Sequence, residues 1–530
     1  MADLTLGAVP ARPVFSDRYK SYVLSILLLA YTFNFIDRTI LATIGIKIRE
    51  DLHLTSAQLG ILGGLYFALT YTVLGIPIAR LAERTSRVRI VSIALVIWSG
   101  FTALCGTAGN FATLSAYRFG VGIGEAGCSP PSHSLISDYY EPNRRAGALS
   151  VYAFGIPLGA MIGAAIGGYL ADWFGWRVAI FVVGLPGAAL AILTWFTVKE
   201  PPRGNADAPA PAPTLVEDVT AEAPPKAGLG NEIRELGAVC RTLFLQWPVA
   251  NMAIGVTLAS FAGYGAFAFV QQYIYTTFPL SLGLTGLLVG LIMSGFSAGI
   301  GTLLGGFASD RLAKRSPVWY PLTPAIGLLI ALPIFLLALN QHDWRVMFVI
   351  LLFPGIFSYT YLAPTFAVAQ NAVPVYRRAT VTAVLFFVLN FVALGGGPTF
   401  TGSLVDYYAD YAYAHPDLLS VWPALVDALS HAVGQTFMSY VGIFTGLADL
   451  VTGAHHAAAP ATSAFAIACP GGRAPAAAGL AAAKACKHAL SWGTQQGVLI
   501  TLCFYAWASL HYFLACFGIS RVLKDKLNPT

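Results

Sequence analysis

Long apolar runs dominate this chain and leave it few ways to fold. A helix needs about 20 mostly apolar residues to cross a hydrocarbon layer. Twelve such runs are read in the sequence: near residues 21–46, 56–80, 87–107, 112–138, 145–171 and 177–197, then near 247–277, 283–308, 318–339, 345–372, 379–405 and 494–519. In lipid, backbone N–H and C=O groups must be satisfied within the segment, so these runs become helices. Apolar residues make up 56% of the 530 and charged residues only 11%, against about 25% charged in a soluble domain. The expected fold class is an all-α polytopic membrane protein with 12 transmembrane helices.

Composition divides the chain into five parts. Residues 1–20 are a polar tail that runs straight into the first span, with no cleavable signal peptide. Residues 21–197 and 247–519 hold six spans each. Residues 198–246 form a linker whose PPRGNADAPAPAPTLVEDVTAEAPPKAGLG reads as disordered, followed by NEIRELGAVCRTLF, a short surface helix. Residues 520–530 are a second tail. Within the second half, about 407–490 is a large insertion before the last span. Its VWPALVDALSHAVGQTFMSYVGIFTGLADLVTG reads as a pair of interfacial helices over the outer vestibule, with a re-entrant or extra span as the alternative.

Basic residues in short loops set the orientation. One set of loops carries Arg80, Arg84, Arg87 and Arg89, then Arg144 and Arg145, Arg311, Lys314 and Arg315, Arg377 and Arg378, and the tail Arg521, Lys524 and Lys526. The opposite loops carry only Lys47, Arg49, Arg177 and Arg345. The first set and both termini are therefore expected in the cytoplasm, with the 407–490 insertion outside. The net charge of +6 is a membrane-edge signal and not one for nucleic acid. Cys105, Cys128, Cys503 and Cys516 lie in apolar runs as small packing residues, and Cys240 lies in the linker. Cys469 and Cys486 share the insertion, where the oxidising side of a membrane permits a disulfide; the sequence leaves that open. His455 and His456 read as an exposed loop pair in preference to a metal site. Neither a cofactor nor a metal is expected.

Four charges interrupt the apolar pattern: Asp37 and Arg38 in AYTFNFIDRTILATIGI, and Arg118 and Glu125 in YRFGVGIGEAG. A charge near the bilayer centre costs roughly 2.5–3.5 kcal/mol on insertion scales, so such groups face a bundle interior or a cavity. Arg118 and Glu125 are seven residues apart, which returns to nearly the same helix face about 10.5 Å along the axis. Each therefore needs a partner from another helix. Asp37 and Arg38 point about 100° apart, so only one faces the cavity squarely, and Asp37 is expected to be that one. Arg38 then packs against a neighbour or bridges to Glu125, and Asp37 and Arg118 are candidate partners. Burial raises a carboxylate's proton affinity and a nearby arginine lowers it, so an arginine moving between partners would couple protons to conformational change. The competing reading is a static ion-pair network. Gly120, Gly122, Gly124 and Gly127 permit a close neighbour helix; their nucleotide-loop reading fails because no strand precedes them.

The two halves repeat. ARLAERTSRVR follows the second span and GGFASDRLAKR the eighth; YYEPNRR and VPVYRR follow the fourth and tenth; glycine-rich helices follow each. These matched cassettes indicate two homologous six-helix units. The loop pattern resembles the signature of the major facilitator superfamily, roughly G-x-L-A-D-R-x-G-R-R, with Ala79, Glu83 and Ser86 as departures in the first copy and Gly306, Asp310 and Arg311 kept in the second. The resemblance implies two pseudo-symmetric six-helix bundles, a cavity lined by spans 1 and 4, and a conformational gate at Glu83, Arg84, Arg87, Asp310 and Arg311. NFIDRTIL, RFGVGIGEAGCSPPSHSLISDYYEPNRRAGALS, GIPLGAMIG and FGWRVAI resemble the spinster branch more narrowly. That branch includes vertebrate exporters of sphingosine-1-phosphate and carriers of lysophospholipids. The chain looks like a bacterial homologue, placed in the inner membrane.

The expected function is proton-coupled secondary transport of an amphiphilic lipid-like substrate, with Asp37, Glu125, Arg118 and Arg38 carrying the protons. Arg38, Arg118, Glu125, Ser129, His133, Tyr264, Gln271, Tyr359, Tyr361 and Asn390 are the candidate substrate contacts: charge on one side, aromatics on the other. The alternatives are a proton-driven antiporter for hydrophobic drugs and, from another class, a non-transporting receptor or scaffold. Expected partners are membrane lipids and the substrate, with the chain a monomer. No nucleophile constellation or ATP-binding cassette is present, so no enzyme is expected.

Overall fold

The computed structural model describes residues 15–206, 229–374, 377–416, 425–452 and 463–527. Among them every regular element is a helix, and eleven are long and apolar enough to cross a membrane. The predicted fourth span is absent from those eleven because it is broken in two, Phe111–Ala126 and Ser129–Tyr139. Its residues 127 and 128 form a turn, and Pro130 and Pro131 follow at the start of the second piece. Proline lacks the N–H that would continue the ladder, so the break falls just past Glu125. Span 1 runs Asp17–Leu52, longer than the predicted 21–46. It starts at Ser16, whose hydroxyl accepts from the Tyr19 N–H, and stops at His53 in the left-handed region.

Two hydrophobic cores define two bundles. One gathers Leu27, Ile44, Leu95, Leu114 and Leu135 from the first six spans; the other gathers Val256, Phe269, Leu328, Met347 and Tyr512 from the last six. The start of span 1 and the end of span 6 meet on the face that carries the basic loops, called here the basic face. There Tyr19 donates to the Thr197 carbonyl at 2.9 Å, and Lys20 lies 3.9 Å from Glu141. Arg87, fully buried, binds Asp138 and Glu200 and ties the end of span 6 to span 3.

The insertion differs from expectation. Span 11 extends to Ala414 and the last span begins near residue 476, so helices occupy both ends of the predicted 407–490 segment. A single helix, Leu425–Thr452, replaces the predicted interfacial pair. It runs down the flank of span 11, where Ala428 and Ala432 pack near Tyr408 and the Tyr440 hydroxyl donates to the Phe391 carbonyl. Its other side leaves Val426, Val433, Phe437 and Met438 exposed, an apolar face suited to lipid and not to a watery vestibule. A small lobe follows at 463–478, closed by a Cys469–Cys486 disulfide. The face that bears it is called the lobe face. His455 and His456 lie outside the described residues.

The halves meet along two seams at the lobe face. Span 2, whose pieces begin at Ser56, packs on span 11 (through Ala414); span 5, ending at Phe174, packs on span 8, Leu282–Ala313. Hydrogen bonds and ion pairs join the halves at this face: Lys47 to Tyr275, Asp406 to Ser56 and Ala57, Asp172 to Gly283, Arg49 to Asp406 and Arg473 to Glu50. The molecule is therefore closed at the lobe face. Each seam helix is interrupted: π-helical turns at Ile61–Leu65, Gly290–Ser297 and Leu389–Leu394, and a break at Phe154. Such turns loosen the α-ladder locally and favour hinge positions.

Candidate functional site

The four intramembrane charges form two crossed pairs between spans 1 and 4. Arg38 Nε donates to Glu125 Oε2 at 2.8 Å, and Arg118 Nη1 donates to Asp37 Oδ2 at 3.2 Å. Adjacent residues on span 1 thus pair with residues a heptad apart on span 4. The fit depends on glycine in span 4: a Cβ at Gly122 would strike the Thr70 side chain, and one at Gly124 would strike the backbone of Trp98.

The pairs differ in access. Asp37 and Arg118 side chains are 3% and 4% exposed, and Thr102 of span 3 donates to the second Asp37 oxygen at 2.9 Å. Arg38 is 20% exposed while Glu125 is fully buried. This corrects the expectation that Asp37 faces the cavity: Arg38 does. The 100° offset sends Asp37 toward span 3 and Arg38 toward span 2. Glu125 Oε1 has no hydrogen-bond partner among the described residues, and neither has Arg118 Nε.

Arg38 sits in an aromatic cage. Its guanidinium carbon lies 4.3 Å from the Phe67 ring centre, 4.9 Å from Phe35 and 5.2 Å from Tyr71. Rings hold a guanidinium by cation–π attraction without neutralising it, so its charge is balanced by Glu125 and not by the cage. Phe67 and Tyr71, four apart on one face of span 2, were missed in the sequence. Their spacing is the only signal, and an apolar helix carries many such pairs.

The remaining predicted contacts separate. Tyr264 of span 7 is exposed and lies within electrostatic range of Arg38 and Tyr71. Ser129 is half-buried; His133 is exposed and meets the Tyr152 ring edge-on. Tyr359 and Asn390 are half-buried, with Asn390 Nδ2 donating to the Phe386 carbonyl at 2.8 Å. Gln271 and Tyr361 depart from the prediction in this conformation. Gln271 is wholly buried with both amide atoms unpartnered, and Tyr361 is buried against Ser260 at 3.0 Å. Both point into packed helix contacts and not into open space. The described gate candidates have these settings. Arg87 is held inside the first bundle, Asp310 accepts from the Tyr320 hydroxyl at 3.2 Å within the second, and Arg84 and Arg311 are exposed. The side chain of Glu83 lies outside the described residues.

Two six-helix bundles joined at the lobe face, the first holding paired intramembrane charges and a ring-caged arginine, define the class of polytopic secondary transporters. The sequence profile of the Major Facilitator Superfamily matches residues 27–398, and the chain belongs to that family. Its fold is similar to a crystal structure of a bacterial homolog of the human lysosomal transporter spinster, inward-facing and unoccupied. The TM-score is 0.73 at 29% identity, covering 97% of this chain and 100% of that one. It is 31% identical over 385 residues to an MFS-type efflux pump of Mycolicibacterium smegmatis, covering 73% of this chain and 84% of that protein. It is 24% identical to protein spinster homolog 3 of Danio rerio, covering 84% and 87%. The chain is a spinster-type transporter and not an enzyme.

Proposed function

We propose that this transporter moves an amphiphilic, lipid-like substrate with an anionic head, of the lysophospholipid or sphingosine-1-phosphate kind, by proton-coupled alternating access in a bacterial inner membrane. The basic face is the cytoplasmic one, since short loops rich in Arg and Lys stay inside, and both termini lie there. One observation carries the reading: a partly exposed, ring-caged Arg38 whose acidic partner among the described residues, Glu125, is sealed. An anionic head entering the cavity competes with Glu125 for Arg38. A carboxylate that loses its arginine in a dry site must take up a proton. Substrate and proton are thereby linked through one guanidinium. The Asp37–Arg118 pair, further from the opening, is the second proton-exchanging group, reached only when the bundles rock. The gate role of Glu83, Arg84, Arg87, Asp310 and Arg311 belongs to the opposite state, closed at the basic face.

The test is uptake of a fluorescent lysolipid into proteoliposomes, with and without a proton gradient. Glu125→Gln is expected to lower gradient-driven flux by roughly tenfold or more, the range of strong site coupling, with the protein folded. Unchanged pH dependence in the variant removes Glu125 from coupling. The likeness to an efflux pump favours one second reading, proton-driven export of other hydrophobic compounds. A cationic substrate panel that is moved while lysolipid is not would select it.

A further inference from the structure

The lobe at 463–478 reaches across from the second bundle to cover a buried cation of the first. Arg49, at the end of span 1, is 2% exposed. Its Nε donates to the Leu54 carbonyl at 3.2 Å, its Nη2 lies 4.0 Å from Asp406 of span 11, and its Nη1 is buried without a partner. A guanidinium so poorly paired stays buried only because something keeps water off it. The cover is the turn Pro470–Gly472. Gly471 and Gly472 both adopt positive φ, a conformation glycine alone takes freely. A Cβ on Gly471 would meet the Arg49 carbonyl, and one on Gly472 would lie 3.1 Å from the guanidinium. The next residue, Arg473, lies 4.0 Å from Glu50 of span 1.

The turn is anchored to its own bundle on both sides. The Phe465 N–H donates to Asp410 of span 11 at 2.9 Å, and the Cys469–Cys486 disulfide fixes it to the start of the last helix. The pieces belong to different bundles, and the bundles must separate here for the lobe face to open.

We propose that the disulfide-bonded lobe is a clasp that holds the lobe face shut by shielding Arg49. Without the pin the turn loosens, water reaches Arg49, and the closed state loses its advantage. The proposal uses only the alternating-access part of the function above, and its test needs neither substrate nor proton gradient. Failure of Glu125 as a coupling site would leave it standing.

The test places maleimide-linked spin labels at Gly109→Cys and His342→Cys, exposed positions in loops of the two bundles at the lobe face. Free cysteines Cys105, Cys128, Cys240, Cys503 and Cys516 are first replaced. Pulsed dipolar distances are then compared in lipid nanodiscs with the disulfide present and with Cys469→Ser and Cys486→Ser together. The expected result is a growth of the long-distance population by about threefold or more, a modest population shift. If the double variant does not accumulate, the folded parent is treated with a phosphine reductant and measured directly. A distance distribution that does not change on breaking the disulfide, by either route, overturns the clasp.

Discussion

The two seams that close the lobe face are built alike in backbone and differ in what is laid over them. On one, Gly60 and Gly64 of span 2 sit against the carbonyls of Pro398 and Leu394 of span 11, and Gly402 returns the contact to Ser56. On the other, Gly168 of span 5 sits against the carbonyl of Leu282, and Gly286 of span 8 against that of Ala164. Each seam also carries the same electrostatic device. A helix start leaves its first N–H groups unpaired. Thr55 and Ser281 cap the third N–H of spans 2 and 8 with their own hydroxyls. The earlier N–H groups are capped by a carboxylate from the other bundle. Asp406 accepts from Ser56 and Ala57 at 2.8 Å each; Asp172 accepts from Gly283 at 2.8 Å. Both carboxylates face positive helix ends, and both caps break when the bundles part.

The difference lies in the cations. Arg49 beside Asp406 is sealed under the lobe, whereas Lys47 on the other side is half-buried, donating to the Tyr275 hydroxyl of span 7 at 2.9 Å. A symmetric repeat has thus been made into an asymmetric lock by one inserted segment. The seam with the lobe is therefore expected to contribute more to closure than the bare one.

The largest expected effect comes from Asp406→Ala. It strips two N–H caps and leaves Arg49 without its carboxylate. A lost cap costs about 0.5–2 kcal/mol. The ion pair is long and Asp406 partly exposed, so its share is discounted, giving a loss of closure of about 2–3 kcal/mol. Spin-label distances across the lobe face measure it, and an effect no greater than that of the Asp172 variant would make the seams equivalent. Asp172→Ala removes one N–H cap and is expected to cost about 1 kcal/mol, read as a smaller shift in the same distances. The smallest effect tests independence. The double variant should equal the sum of the singles within about 0.5 kcal/mol, as for separated sites without shared partners. A large shortfall would show that the seams open in separate steps and not in one rocking motion.

Much of this molecule was legible in its sequence, and the reasons differ by region. Apolar length announced the spans, and the paired ARLAERTSRVR and GGFASDRLAKR loops announced the repeat, because both signals are local. Asp37, Arg38, Arg118 and Glu125 stood out because charge in a membrane is rare and costly. Their pairing was half legible: Arg38 with Glu125 and Asp37 with Arg118 were both named. Which of Asp37 and Arg38 faces the cavity was not, since that depends on how span 1 is rotated against spans 2 and 3. Arg49 was read only as a basic residue of the outer loops, and Asp406 and Asp172 were not singled out. Their role needs a helix start delivered from 111 to 350 residues away by a bundle fold. The break in span 4 could have been read from Gly127 to Pro131, where two prolines follow a glycine.

The π-helical turns at Ile61–Leu65 and Gly290–Ser297 sit in the matching helices of the two repeats. A π-turn amounts to one extra residue accommodated in an α-helix. Residues on its two sides are therefore out of phase by about 100° relative to an unbroken helix. For a gene under insertion and deletion, losing one codon there would leave Gly60 and Gly286, which precede the turns, in place. Everything toward the basic loops, Arg84 included, would turn by a quarter circle or more. Relatives compared with this chain without a one-residue gap at these turns would have every subsequent position assigned to the wrong side of the helix.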